Sequence, residues 1–312
     1  VSNCGTTPTR MRASRARWDS LAKPLRSLGA LEDDIARIAG IQGALVPDIS
    51  RRAVVVMCAD NGVIARGVTQ TGQEVTAVVA ESIARGGASV CRMARVAAAD
   101  VFPVDVGVAR PVDIPAFGRR NVRRGTADMT KGPAMTAGEA AAAIEVGIDV
   151  VRVLKDEGYR LLATGEMGIG NTTTSSAVVA ALTGRPIEEV TGRGAGLSDE
   201  GLLRKQGAIA AAIGINRPDA SDALGVLHKL GGLDIAGLAG MCLGGALHRV
   251  PVLVDGFISL AAALVAVRLC PACGAYLIGS HVSKEPGTRM LLELLGLSPL
   301  ICANMGLGEG TG

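Results

Sequence analysis

A run of ten residues, Gly165-Glu166-Met167-Gly168-Ile169-Gly170-Asn171-Thr172-Thr173-Thr174, carries the densest chemistry in this chain. The apolar run Tyr159 to Ala163 precedes it and the Ala/Val-rich segment Ala177 to Leu182 follows, so the order reads strand, glycine loop, helix. Glycines let the backbone turn sharply and approach a ligand closely. A helix start offers unpaired N–H groups and the positive end of a dipole, which suits a phosphate. The hydroxyls from Thr172 to Ser176 add donors and N-cap candidates. Glu166 falls inside the predicted loop, where its charge would repel a phosphate unless aimed elsewhere. A loop that cradles an anion and also presents an acid reads as a catalytic site. The plainer alternative is a strand–helix turn with a capped helix.

Three further clusters have the right chemistry. Gly192-Arg193-Gly194-Ala195-Gly196 could close over the same phosphate, with Lys205 in the following helix as a point charge; a plain loop with a surface arginine is the alternative. Ser280-His281-Val282-Ser283-Lys284-Glu285-Pro286-Gly287 is rich in donors but weak as a lone pattern, and His281 reads equally as a structural histidine. Gly306-Leu307-Gly308-Glu309-Gly310-Thr311-Gly312 closes the sequence. A carboxylate among glycines is not a packing residue: it belongs either to a disordered tail or to an acid held on a specially shaped loop. Glu166 and Glu309 together form a pair suited to general acid–base work. No Ser–His–Asp set stands out. Neither G-x-x-x-x-G-K-[ST] nor G-x-G-x-x-G with a following acid appears, which disfavours an ATPase and an ordinary dinucleotide dehydrogenase.

The elements that must position these residues follow from periodicity. Residues 14–45 repeat Leu21, Leu25, Leu28, Leu31, Ile35 and Ile38 at helical spacing and predict an amphipathic helix. Strands are predicted over Ala53–Ala59, Val101–Val108, Tyr159–Thr164, Val250–Val254 and Ala275–Gly279. Helices are predicted over Thr76–Arg85, Ala88–Ala97, Ala137–Leu154, Leu202–Ile213 and Ile235–Leu247. Alternating units with continuous apolar strands imply an α/β fold: a mostly parallel sheet with helices on both faces. Ligands then bind beyond the carboxyl ends of the strands, where Asp60, Glu166, Asp255 and Ser280 fall.

Composition narrows the class. A chain of 312 residues has ample core for one large or two modest domains, and with 48% hydrophobic but only 2% aromatic residues that core must be aliphatic. A net charge of +3 is too small to argue for nucleic acid, and Arg119, Arg120, Arg123 and Arg124 read as a solvated loop. The stretch Val250–Val267 is the best membrane candidate, but Asp255 and Gly256 divide it into a buried strand and a helix. No cationic segment followed by an apolar core opens the sequence, so no signal peptide is visible. Seven cysteines, an odd number mostly in apolar runs, favour reduced thiols and a cytoplasmic location. Cys270-Pro271-Ala272-Cys273 is a lone CxxC without a second half, and His228, His248 and His281 are not at ligand spacing, so neither redox chemistry nor a metal site is expected.

Taken together, these motifs resemble the nicotinate-nucleotide–dimethylbenzimidazole phosphoribosyltransferase family of cobalamin lower-ligand activation. The matching pieces run in family order: Leu21–Glu32, Ala59-Asp60-Asn61-Gly62-Val63, Gln73-Glu74-Val75-Thr76, Gly165–Thr173, Gly192–Leu197, Ser280–Gly287 and Gly306–Gly312. The resemblance implies a Rossmann-like α/β domain with a small helical domain, here residues 1–45 and 46–312 read as helical part and catalytic part. It implies transfer of 5-phosphoribose from nicotinate mononucleotide to an aromatic base, giving an α-linked nucleotide, with no cofactor and no metal. By match to the family, Glu309 is the base facing the acceptor and Glu166 the second acid. Gly168, Gly170, Asn171, Thr172, Arg193, Gly194, Lys205 and Ser283 would surround the phosphoribosyl group, and Asn61, Thr69 and Leu307 the acceptor. The family is usually dimeric, so a homodimer is expected, with a heterodimer with a paralogue as the alternative; no membrane or nucleic-acid partner is expected.

Three departures bear on the expectation. Many relatives carry His where Asn61 stands. Many have Ser-x-aromatic-Pro where this chain has Thr69-Gln70-Thr71-Gly72, which opens the choice of base and admits phenol-accepting or heterodimeric relatives, or a non-catalytic nucleotide-binding partner subunit. Family members usually continue with a helical segment past the terminal glycine motif, which this sequence lacks.

Overall fold

Strand β1 (Arg52–Ala59) is an unbroken apolar run in which alternate residues serve different cores. Ala53, Val55, Met57 and Ala59 face one buried cluster, and Val54, Val56 and Cys58 face another. Period-2 alternation in a strand with both faces buried requires helices on both sides of the sheet. The computed structural model describes residues 8–312 and has that architecture. A parallel sheet has the order β2 (Ala99–Gly107), β1, β3 (Leu161–Met167), β4 (Val252–Val254), β5 (Leu277–Gly279). The second cluster covers one face through α3 (Glu74–Ala84) and α4 (Ser89–Val96). The larger cluster covers the other, built from α5 (Ala137–Asp156), α6 (Asn171–Thr183), α8 (Asp199–Asn216), α9 (Ala223–Leu230), α10 (Leu233–His248) and α11 (Phe257–Leu269). The chain reverses its direction of travel across the sheet between β1 and β3, and a crevice opens at their carboxyl ends, as such a switch point dictates.

Sequence details explain the helix limits. Thr136 caps α5 and Glu139 reaches back to the Thr136 N–H, a complete capping box. Ser198 and Asp222 cap α8 and α9 through their side chains. The scarcity of aromatics is met by backbone contact: a methyl on Gly147 of α5 would overlap the Gly237 carbonyl oxygen of α10, and one on Gly240 would overlap that of Ile144. The two helices therefore touch main chain to main chain.

The strands and the long helices fall where periodicity puts them, with three differences. The single helix expected over residues 14–45 is two, α1 (Pro8–Asp19) and α2 (Ala30–Gln42). Pro24 has no N–H to donate, and Arg26 and Gly29 adopt positive φ angles of 56°, so the intervening residues turn. The leucine spacing there is real but serves no helix: Leu25 is 71% exposed, and only α2 buries Ala36, Ile38 and Ile41. The predicted strand Tyr159–Thr164 runs on through Met167, so Glu166 belongs to β3 rather than to the loop. Short elements escaped prediction: α9 among the core helices, α7 (Ile187–Val190), α12 (Thr288–Leu294), and the parallel pair β6 (His281–Ser283) and β7 (Ile301–Met305). The CxxC motif opens a 3₁₀ turn, Pro271–Tyr276, with Cys270 as its cap and Cys273 buried. Among the described residues no helix is long and apolar enough to cross a membrane.

Candidate active site

The crevice at the sheet's carboxyl edge contains a cavity of about 270 Å³, walled by Glu166 to Thr172, Val68 to Thr71, Arg193, Gly194, Asp255 to Ser259, Ser283 to Glu285 and Gly306 to Glu309. Sequence positions more than a hundred residues apart thus share one wall.

The anion side is built by the start of α6. Gly170 caps it at φ 94°, a conformation glycine adopts freely. Lys205, on α8, is wholly buried, and its Nζ donates to Thr172 Oγ1 at 2.9 Å and to the Gly192 carbonyl at 3.0 Å. Burial lowers its pKa to about 8, opposed by the nearby Glu285 charge. The Glu285 carboxylate accepts from the Gly194 N–H at 3.0 Å, tying the Gly192–Gly196 loop to the Ser280–Gly287 segment. A second anion arriving here would compete for that donor.

The acids line the same cavity, Glu166 directly beside the first residue of α6 through the Asn171 amide. Glu166 is 8% exposed, and its pKa is raised to about 8: desolvation dominates and the charges of Asp234 and Asp255 add to it, while hydrogen bonds from the Asn171 amide and the Glu309 backbone oppose it. The terminal loop folds over this carboxylate. A methyl on Gly308 would overlap Glu166 Oε1, so only glycine fits there, at φ 86°. Glu309 itself sits at φ 63°, strained for a residue with a side chain, and its Oε2 accepts from the Val90 N–H at the start of α4 at 3.2 Å. The Thr311 hydroxyl and N–H both bond the Gly308 carbonyl, and the Gly312 N–H bonds Asp255 Oδ1 at 2.9 Å. Of the two readings of this segment, the shaped loop is the one observed. Asp255 is buried beside His281, with Nδ1 to Oδ1 at 3.7 Å, and burial raises its pKa.

The structure gathers most of the sequence-predicted residues. Glu166, Glu309, Gly168, Gly170, Asn171, Thr172, Arg193, Gly194, Ser283, Thr69 and Leu307 all line the cavity. Lys205 stands one layer behind, reaching it through Thr172. Asn61 is a correction: it is fully buried beneath the glycine loop, accepts from the Thr174 hydroxyl at 3.4 Å, and does not reach the cavity wall. Arg193 lines the cavity, but its guanidinium is engaged by the Leu197 carbonyl and the Asp199 carboxylate, so its charge is directed away from the anion loop. The segment with Thr69 is tied down: Thr69 Oγ1 donates to the Thr71 carbonyl at 2.8 Å, and the Gln70 amide reaches across to the Gly196 carbonyl.

Asp234 was missed. It lies at the start of α10, fully buried, and accepts from the Asn171 amide at 3.0 Å. Its pKa is raised to about 6 by desolvation, against hydrogen bonds from the Asn171 amide, the Ile235 N–H and the Asn61 amide. The available signal was the pair Gly231-Gly232 before an acid that opens an apolar helix. Among the described residues no group of three or more His, Cys, Asp or Glu is arranged to hold a metal ion.

Acids and a glycine loop backed by a buried lysine, lining one cavity, suit a substrate that carries a phosphate and develops positive charge. Comparison with known proteins gives the same class. A family model described as Phosphoribosyltransferase matches residues 6–312. A nicotinate-nucleotide–dimethylbenzimidazole phosphoribosyltransferase from Ruminiclostridium cellulolyticum is 48% identical over 302 residues, covering 97% of this chain and 86% of the relative. The enzyme of that name from Halalkalibacterium halodurans is 51% identical over 294 residues, covering 94% and 82%. The crystal structure of CobT from Thermus thermophilus superposes with a TM-score of 0.92 at 43% identity, over 97% of this chain and 91% of that one. The chain belongs to the nicotinate-nucleotide–dimethylbenzimidazole phosphoribosyltransferase family.

Proposed function

We propose that this protein is a pentosyltransferase that moves 5-phosphoribose from nicotinate mononucleotide to dimethylbenzimidazole or a related aromatic base, releasing nicotinate and an α-linked nucleotide. The observation that carries the reading is that Glu166 and Glu309 line one cavity with Thr172, whose hydroxyl accepts from the buried Lys205. The donor phosphate enters between the Gly168–Gly170 loop and Gly194. Nicotinate leaves with the bonding electron pair, so that its ring nitrogen goes from cationic pyridinium to neutral pyridine. Positive charge grows on the anomeric carbon and is stabilised by the acids that line the same cavity. Glu309, held by the start of α4, removes the proton of the attacking azole. Attack from the face opposite the leaving group inverts the anomeric centre. Thr69 and Leu307 bound the space left for the base.

The same reading takes residues 8–45 as part of a small helical domain, with residues 1–7 of that expected domain outside the described residues, and residues 46–312 as the catalytic domain, in a homodimer working in the cytoplasm. The test is direct. Purified protein supplied with nicotinate mononucleotide and dimethylbenzimidazole should release nicotinate and form the α-linked nucleotide, with a panel of other azoles and phenols ranking acceptors. Absence of nicotinate release with every acceptor refutes the reading.

A further inference from the structure

Asp234 does not line the cavity, yet one amide ties it to a carboxylate that does. Asn171 Nδ2 donates to Glu166 Oε2 and, at 3.0 Å, to Asp234 Oδ2. An amide nitrogen carries two hydrogens, so both are committed and the amide orientation is settled. Asp234 Oδ1 accepts from the Ile235 N–H at 3.0 Å at the start of α10, where the helix dipole favours negative charge. The surrounding backbone leaves no slack. A methyl on Gly168 would overlap Oδ2, and one on Gly232 would overlap Oδ1. Two glycines thus make room for a buried carboxylate that packing alone would not ask for. A buried acid is costly unless its field or its hydrogen bonds are used.

We propose that Asp234 is a positioning residue for the transfer reaction: through the Asn171 amide it fixes the Glu166 carboxylate in the cavity wall and sets a second negative charge behind it, toward the sugar carbon that becomes cationic. This rests on the phosphoribosyl transfer proposed above. The charged groups that face Glu166 are Asp234 from α10 and Asp255 from the end of β4, the latter paired with His281 of β6; the terminal loop contributes the Glu309 backbone and α6 the neutral Asn171. Since both charges are negative, removing Asp234's charge lowers the proton affinity of Glu166.

The test is Asp234→Asn in the full chain, assayed with nicotinate mononucleotide and dimethylbenzimidazole from about pH 6 to about pH 9. The amide fills the same space, so kcat should fall about 10–100-fold, the usual effect of losing a group that orients a reacting one, with KM for the donor within about two-fold of the native protein. The limb of the pH profile that belongs to Glu166 should move to lower pH. Native kcat, or a reduced kcat with an unmoved profile, overturns the proposal. Where Asp234→Asn does not fold, Asp234→Ser is read in the same way. The unmodified chain offers an independent measurement: infrared titration should show two interacting buried carboxyls, and Glu166→Gln should leave the remaining one titrating at lower pH. Independent titration of the two groups also overturns it. If the native chain transfers no phosphoribose, the parent reading fails and takes this one with it; an active native chain with an indifferent Asp234→Asn removes this one alone.

Discussion

Gly165 and Glu309 pack so closely that a methyl on the first would lie 2.5 Å from the carbonyl oxygen of the second. The loop carrying Glu309 is therefore seated on the central strand β3 itself, and its acid is placed by the sheet. Glu309→Gln keeps that seat and the shape of the side chain but removes the base. Turnover should fall by roughly 10²–10⁴, the range for losing general base catalysis. Donor affinity, measured by calorimetric titration with nicotinate mononucleotide, should stay within about two-fold. Native turnover in this variant would show that the proton goes elsewhere.

Thr172 links the buried Lys205 ammonium to the cavity lining on the α6 side. Thr172→Val preserves volume and removes the hydroxyl. Hydrogen bonds to charged groups contribute about 1.5–3 kcal/mol, so the donor Kd should rise about ten-fold or more. The acceptor KM should hardly change. The opposite pattern, intact donor binding with a raised acceptor KM, would mean that the loop serves the base.

Lys205 gives a pH signature. Its pKa is lowered from 10.5 to about 8 by burial, so in the free protein the ammonium is lost as pH rises through about 8. The donor phosphate is already fully ionised there. Donor affinity should therefore be flat near neutrality and decline by up to about ten-fold per pH unit above about pH 8. Lys205→Met should bind more weakly and flatten the decline. A native Kd independent of pH up to about 9.5 would show that the lysine charge is not used.

Glu166 should affect stability with the opposite slope to an ordinary surface acid. Its pKa is raised from 4.5 in the unfolded chain to about 8 in the folded one. Below about pH 4.5 both states hold the proton and nothing is lost. As pH rises toward 8 the unfolded state releases its proton freely while the folded state resists, so stability falls across that window. Glu166→Gln removes the effect. Its Tm should exceed that of the native protein near about pH 9, and the gap should close near about pH 4.5. Equal Tm values at both ends would contradict the raised affinity.

What was legible in the sequence was whatever local pattern determines. β1 reads as a strand because Val54, Val55 and Val56 are β-branched and bounded by polar residues. Glu166 and Glu309 stood out because acids among glycines have no packing role. Glu166's membership of β3 was hidden, since Gly165 and Gly168 mimic a loop while the parallel pairing with Met57 carries the strand onward. Asp234 was hidden because its function depends on Asn171, 63 residues earlier, which no local window reveals. Asn61 was misplaced for a related reason. The strand end puts it near the site, but the glycine loop passes over it. In residues 20–29 leucine spacing suggested helix, and Pro24 with two left-handed residues overrode it.

The seam between α5 and α10 has a consequence for how this protein can change over generations. Where helices meet through side chains, a new methyl is absorbed by a rotamer flip. Gly147 and Gly240 meet the backbone of the opposite helix, with no side chain to flip, so an added methyl must displace a whole helix. Asp234 stands in the first turn of α10, the same helix as Gly240. Alanine at either glycine, remote from any substrate, should be purged as firmly as a change in the site, and a collection of inactive alleles should be enriched along this line.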